Sequence, residues 1–135
     1  MQGTVVAVDV GTVRVGVAAS DPHRVLASPV ETVPAPGLAR VAALVAERDA
    51  VLVLVGLPTS LSGRAESASA DMAREYARSL AELTAVPVQM VDERLTTVTA
   101  TAALRASGKR GKQARALVDQ AAAVALLQGF LDSAP

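Results

Sequence analysis

The sequence predicts an α/β fold: a mixed sheet with helices on its faces. Three observations predict it. Residues 4–10 (TVVAVDV) and 51–57 (VLVLVGL) are apolar runs that suit strands buried on both sides. Residues 14–20 (RVGVAAS) alternate with period two. The second half then alternates strand runs with segments of helical spacing, so an initial meander is followed by helix–strand units.

The elements follow in order. The run 4–10 is a buried strand that carries Asp9 near its end, and Gly11 and Thr12 make a turn. Residues 14–20 place Val15, Val17 and Ala19 on one face. A third strand covers about 26–33, interrupted by Pro29, which suits an edge position. Pro34, Pro36 and Gly37 punctuate the chain, and Leu38, Val41, Ala42 and Val45 mark an amphipathic helix over 38–48. The central strand 51–57 leads into the loop PTSLSGRAES. A helix over about 65–83 follows, with Met72, Tyr76, Leu80 and Leu83 as its inner stripe. Residues 87–91 form a short strand with Asp92, Glu93 and Arg94 at its end. Thr96 or Thr97 caps a helix to about Ala106, and a basic loop leads into a last helix from about Ala114 to Leu131. The strands are thus a three-strand antiparallel meander plus two parallel strands, in one domain spanning 1–135.

Composition narrows the function classes. The chain has 28 Ala and 21 Val but one Tyr, one Phe and no Trp, so its core is built from small aliphatic groups. The same scarcity argues against single-strand binding by stacked bases. Thirteen basic residues balance thirteen acidic ones, so attraction to a polyanion has to come from a local patch. The absence of cysteine excludes disulfides and thiolate metal sites. No apolar run has membrane-spanning length and no signal peptide is evident, so a cytoplasmic location without membrane contact is expected.

Three acidic points sit at the ends or starts of elements. Asp9 closes an apolar strand, where a carboxylate is costly unless it is paired or meets a cation; bonding to nearby turn amides is the simpler alternative. Asp92 and Glu93 follow a strand, and neighbouring residues there face opposite ways, so one of them can enter a site at the sheet rim. Spacing does not choose between the two, and both could be solvated. Asp119 lies about one turn into an alanine-rich helix, where the helix dipole alone could account for an acid. If the three converge, their oxygens suit Mg²⁺, with Mn²⁺ as an alternative, and a pair of such ions can hydrolyse a phosphodiester without cysteine or histidine. The single histidine, His23, reads as a surface residue. Residues 105–115 (RASGKRGKQAR) hold five basic side chains and no acid, a pattern that fits phosphate contact or a solvated loop.

Four segments together resemble the YqgF or RuvX family, the pre-ribosomal-RNA nuclease and Holliday junction resolvase-like family. They are DVGTVRVGVAASD at 9–21, GLPTSLSG at 56–63, VDERLTTVTA at 91–100 and GKRGKQARALVDQAAAVALLQGFLD at 108–132. The resemblance implies a ribonuclease H-like fold with a mixed five-stranded sheet. It implies that Asp9, Glu93 and Asp119 are the catalytic and metal-holding acids, favouring Glu93 over Asp92. Its implied activity is Mg²⁺-dependent phosphodiester cleavage in 5′-end maturation of pre-16S ribosomal RNA, or resolution of branched DNA. Arg14, Arg94, Lys109, Arg110 and Lys112 are candidates for phosphate contact. The partners implied are a structured RNA precursor within a ribosomal subunit precursor, or branched DNA, met as a monomer or a homodimer. Two rivals remain at this point. An actin-like ATPase would share the strand-turn at Asp9 but needs two lobes, and a ribosome-assembly factor could bind RNA with little turnover.

Overall fold

The structure is a computed structural model that describes residues 3–58, 68–93 and 111–133, and of 111–119 the backbone only. Its strands are β1 (Val5–Val10), β2 (Arg14–Ser20), β3 (Ala27–Pro34), β4 (Leu52–Leu57) and β5 (Val88–Asp92). They form one five-stranded sheet in the order β3-β2-β1-β4-β5. β1, β2 and β3 pair antiparallel, and β4 and β5 join in parallel, the mixed arrangement expected. The three described helices are α1 (Leu38–Glu47), α2 (Ala68–Leu83) and α3 (Gly111–Ser133).

Alternation along β1 divides the core. Val6 and Val8 face α1 and α2, joining Val15, Val17 and Val53 of the sheet with Val41, Leu44, Val45, Tyr76 and Leu80 of the helices. Val5 and Ala7 face α3, joining Ala18, Leu54, Val91, Ala123, Leu126 and Leu127. Ala121, Ala123 and Ala125 of α3 are buried beside Leu126 and Leu127. β3 is an edge strand that tolerates Pro29 through a break in register. Val17 pairs with Glu31 and Ala18 with Pro29, which leaves Val30 without an opposite residue.

Side chains fasten the helices to this edge strand on both faces. On one face, Arg40 of α1 donates to both carboxylate oxygens of Glu31, at 2.9 and 2.7 Å, and this guanidinium holds Glu31 below the usual carboxylate range. On the other face, the Gln128 side chain of α3 accepts from Ala27 N at 2.9 Å and donates to Val25 O at 3.1 Å.

Three expectations need correction or completion. The inner stripe of α2 runs through Ala73, Tyr76, Ala77 and Leu80, while Leu83, its last residue, is 53% exposed. Leu44 also joins the buried face of α1. The last helix begins at Gly111, not near Ala114, so Lys112 lies in helical backbone and not in a loop; lysine and glutamine favour helix enough to extend it. The expected helix to Ala106 and most of the loop after β4 fall outside the described residues.

Candidate active site

The α3 face of the sheet carries one cross-strand row with an acid at its centre. Asp9 pairs with the buried Gly16 on β2, and Gly16 pairs with Thr32 on β3. On the other side Val8 pairs with Val55, and the next step of that parallel register sets Asp9 level with Gly56 of β4. Gly56 in turn pairs with Val91 of β5. Because Val5 and Ala7 pack beneath α3, alternation puts Asp9 on the same face. The half-buried Asp9 therefore has a glycine on each flank. A glycine inside a strand costs stability, and it often marks a place that something must approach closely.

Glu93 reaches the same place from the end of β5. A Cβ built on Gly56 would lie 3.3 Å from Glu93 Oε1, 3.4 Å from Glu93 Cγ and 3.1 Å from Leu126 Cδ2 of α3. The Glu93 carboxylate thus lies over the bare backbone of Gly56, beneath α3. Asp92 alternates with Met90, which packs with Val55 and Ala73 on the α2 side. The two adjacent acids part company, and Glu93 shares the face of Asp9.

Asp119 lies in α3, more than two turns beyond its first residue, Gly111. That is deeper than the single turn expected, because the helix starts earlier, and helix-dipole stabilisation fades beyond the first turn. Its side chain is outside the described residues. The next residue, Gln120, donates from Nε2 to Thr32 Oγ1 at 2.9 Å. Thr32 belongs to the Asp9 row, so this turn of α3 stands at the level of Asp9.

The turn after β1 is closed by Gly11 N donating to Arg14 O at 2.9 Å. A Cβ on Gly11 would lie 2.5 Å from that same oxygen, so the tight turn excludes any side chain there. Arg14, the first residue of β2, alternates with Gly16 onto the α3 face, beside the acids. Of the other expected phosphate contacts, Arg94, Lys109 and Arg110 lie outside the described residues, and Lys112 is described in its backbone alone.

Other polar features have structural explanations. Asp21 closes the first sequence motif at the far end of β2. Its carboxylate accepts from Leu26 N, Val25 N and His23 N at 2.8–3.0 Å, and these amides, Leu26 foremost, hold it below its ordinary value. His23 is exposed in that loop. Tyr76 donates to Pro36 O at 2.7 Å, and burial pushes its hydroxyl up to about 12. Tyr76, Pro36, Met72 and the Val10–Thr12 turn line a mainly apolar cavity of about 200 Å³. That cavity lies on the α2 side, across β1 from Asp9, and its lining offers no charge for catalysis.

Among the described residues, no three of His, Asp and Glu gather into a metal-holding group. The pair present is Asp9 and Glu93, with Glu93 and Leu126 lying over the bare backbone of Gly56 and the helix that bears Asp119 on the same face. Carboxylate oxygens are the donors that a hard divalent cation takes. Sequence reading singled out the acids but gave Gly16 and Gly56 no part in a site. The available signal was a glycine within each apolar strand, RVGVAAS and VLVLVGL.

Comparison with known proteins bears on family and fold. A family model described as RuvX, Holliday junction resolvase, matches residues 3–133. A protein of Clavibacter michiganensis subsp. michiganensis named "Putative pre-16S rRNA nuclease" is 48% identical over 136 residues, covering 97% of this chain and 84% of its own length. A protein of the same name from Mycolicibacterium paratuberculosis is 51% identical over 138 residues, covering 97% of this chain and 81% of its own. Among solved structures, T. thermophilus RuvC in complex with Holliday junction substrate matches with a TM-score of 0.58 over 96% of this chain and 94% of that one, at 17% identity. The last likeness concerns architecture, and with the strand order above it makes the fold ribonuclease H-like.

Proposed function

The chain belongs to the RuvX family, and from that premise we propose that it is a metal-dependent nuclease, a single ribonuclease H-like domain that cuts phosphodiester bonds in 5′-end maturation of pre-16S ribosomal RNA. The observation that carries this reading is the placement of Asp9 between two glycines with Glu93 over one of them. The bare backbone of Gly56 admits Leu126 as well as Glu93, so the reading rests on two carboxylates sharing the face beneath the helix that bears a third acid. The choice of pre-16S ribosomal RNA as substrate rests on relatives about half identical whose name carries it.

In this reading Asp9, Glu93 and Asp119 hold Mg²⁺, or Mn²⁺ in its place. When bound, the cation supplies a water of lowered pKa and neutralises charge on the phosphate. Arg14 meets a phosphate oxygen on the same face, and Arg94, Lys109, Arg110 and Lys112 extend that contact along the backbone. Glu93, at the rim, orients the attacking water by accepting its proton in a hydrogen bond. As the water oxygen bonds to phosphorus its proton passes to bulk water, the bond to the leaving oxygen breaks, and that oxygen takes up a proton from bulk water. Asp9, deeper in the sheet, fixes the cation side of the site.

A second reading, resolution of four-way DNA junctions, is favoured by the family description itself. A two-fold substrate would then require a homodimer. Among the described residues no helix is long and apolar enough to cross a membrane, and action in the cytoplasm is part of the proposal. The test is a comparison of 5′-extended pre-16S fragments with four-way junctions, each with Mg²⁺, Mn²⁺ or EDTA. Metal-dependent cutting of the RNA, lost in Asp9→Asn, is expected. Equal cutting in EDTA would refute the metal role, and cutting of junctions alone would transfer the assignment to DNA.

A further inference from the structure

Two glutamines of α3, eight residues apart, grip the edge strand. Gln128 bonds Ala27 N and Val25 O at one end of β3. Gln120 bonds Thr32 Oγ1 near the other. The two are about 12 Å apart along the helix axis. Their settings differ in one respect that matters. Thr32 pairs with Gly16, which pairs with Asp9, so the Gln120 bond ends in the row that contains the proposed catalytic acid. Gln128 grips β3 five residues further back, away from that row.

From this row we infer that Gln120 is a positioning residue. Its bond to Thr32 sets the axial and rotational placement of the α3 turn that carries Asp119 relative to Asp9. The inference rests on the reading of Asp9, Glu93 and Asp119 as the metal-holding acids. The physical reason is that the α3 turn next to Asp119 presents only small side chains to the sheet. Next to Gln120 the buried residues of α3 are Ala121 and Ala123, which interlock weakly with their neighbours, while the bulky Leu126 and Leu127 grip the sheet further along the helix. Apolar contacts are non-directional, so they tolerate small axial shifts of such a helix. A directional bond to a row of the sheet does not. Ligand geometry at a metal site is commonly set by such supporting bonds, whose loss costs metal affinity by roughly 10- to 100-fold.

The experiment is calorimetric titration of the full chain with Mn²⁺ alone, without nucleic acid, with thermal melting in parallel. Gln120→Leu and Thr32→Val should each weaken Mn²⁺ binding by about tenfold, and the double variant should be no weaker than either single one. Thr32→Ser, which keeps the hydroxyl, should bind as the unaltered chain does. Gln128→Leu should lower the melting temperature yet leave Mn²⁺ binding in place. The inference is overturned if Gln120→Leu binds Mn²⁺ normally, or if Gln128→Leu weakens binding as much as Gln120→Leu. Asp9→Asn separates this outcome from failure of the site itself. Normal binding in Asp9→Asn removes the metal site, whereas binding lost in Asp9→Asn but kept in Gln120→Leu removes the positioning role alone. Should Gln120→Leu fold poorly, the comparison of Thr32→Val with Thr32→Ser carries the test.

Discussion

Gly56→Ala adds one methyl group at the point where β4, Glu93 and α3 meet. The new Cβ would lie 3.1 Å from Leu126 Cδ2 and 3.3 Å from Glu93 Oε1, so a neighbour must give by a few tenths of an ångström. Leu126 is 1% exposed in a packed cluster and has little room. Glu93 is half-buried at the rim and yields more easily, so the relief falls on the carboxylate. Overpacking of this kind costs about 1–3 kcal/mol when nothing can move. Movement of Glu93 lowers that figure, and replacing glycine at an extended position recovers about 0.4–1 kcal/mol through the unfolded chain. The net change in stability is therefore under about 1 kcal/mol, a shift in melting temperature of roughly 4 °C or less. Cleavage should suffer far more, because misplacing a catalytic group by about 1 Å costs on the order of 100-fold. Single-turnover cleavage of a pre-16S fragment at saturating Mg²⁺, beside a thermal melt, reads both quantities. The expected result is a rate loss of at least about tenfold with a nearly unchanged melt. A Gly56→Ala protein that melts and cleaves like the unaltered chain would refute the role given to the bare backbone under Glu93.

Three further outcomes follow from the same geometry. Asp92→Asn should leave cleavage within about twofold, because Asp92 alternates to the α2 side, whereas Glu93→Gln should lower it by about 100-fold or more; single-turnover rates check the pair, and equal losses would undo the assignment by face. Gly11→Ala should destabilise the chain by about 2 kcal/mol, since its Cβ meets the Arg14 carbonyl at 2.5 Å and backbone cannot swing aside; an unchanged midpoint in urea unfolding would contradict this. The Asp21 carboxylate is held below its ordinary value of 3.8 by backbone amides, so its contribution to stability is present above that pH and is lost as pH falls through the depressed value. The melting-temperature gap between the unaltered chain and Asp21→Ala should accordingly be full at neutral pH and shrink below about pH 4; a gap independent of pH would show that the amide bonds do not depend on the charge.

Much of the fold was legible because strand periodicity and helix periodicity are local. The run 14–20 reads as a strand from its own alternation, and its three inward residues do pack beneath α1. Pro29 announced an edge strand because a residue without an N–H cannot sit inside a ladder. The boundaries were less legible. The start of α3 at Gly111 depends on how a glycine-bounded basic stretch trades solvation against helix formation, and the loss of Leu83 from the core depends on where the sheet beneath α2 ends. The acids of the candidate site were singled out in the sequence, Glu93 over Asp92 only through the resemblance, and their arrangement was not legible. That Asp9 and Glu93 share a face follows from the register of β1, β4 and β5, a pairing between segments far apart in the chain. Gly16 and Gly56 acquire meaning only once they are seen beside Asp9. The bond from Gln120 to Thr32 joins residues 88 positions apart, beyond the reach of any local pattern.

The claim beneath all of this is that Asp9 and Glu93, with Asp119 from α3, hold divalent cations together on one face of the sheet. Diffraction at the manganese absorption edge, from crystals of the full chain soaked in Mn²⁺, tests it most directly. An anomalous peak bounded by the carboxylates of Asp9, Glu93 and Asp119 is the expected result. At a Mn²⁺ concentration that supports cleavage, a peak elsewhere on the molecule, or none within ligand distance of Asp9, would contradict it.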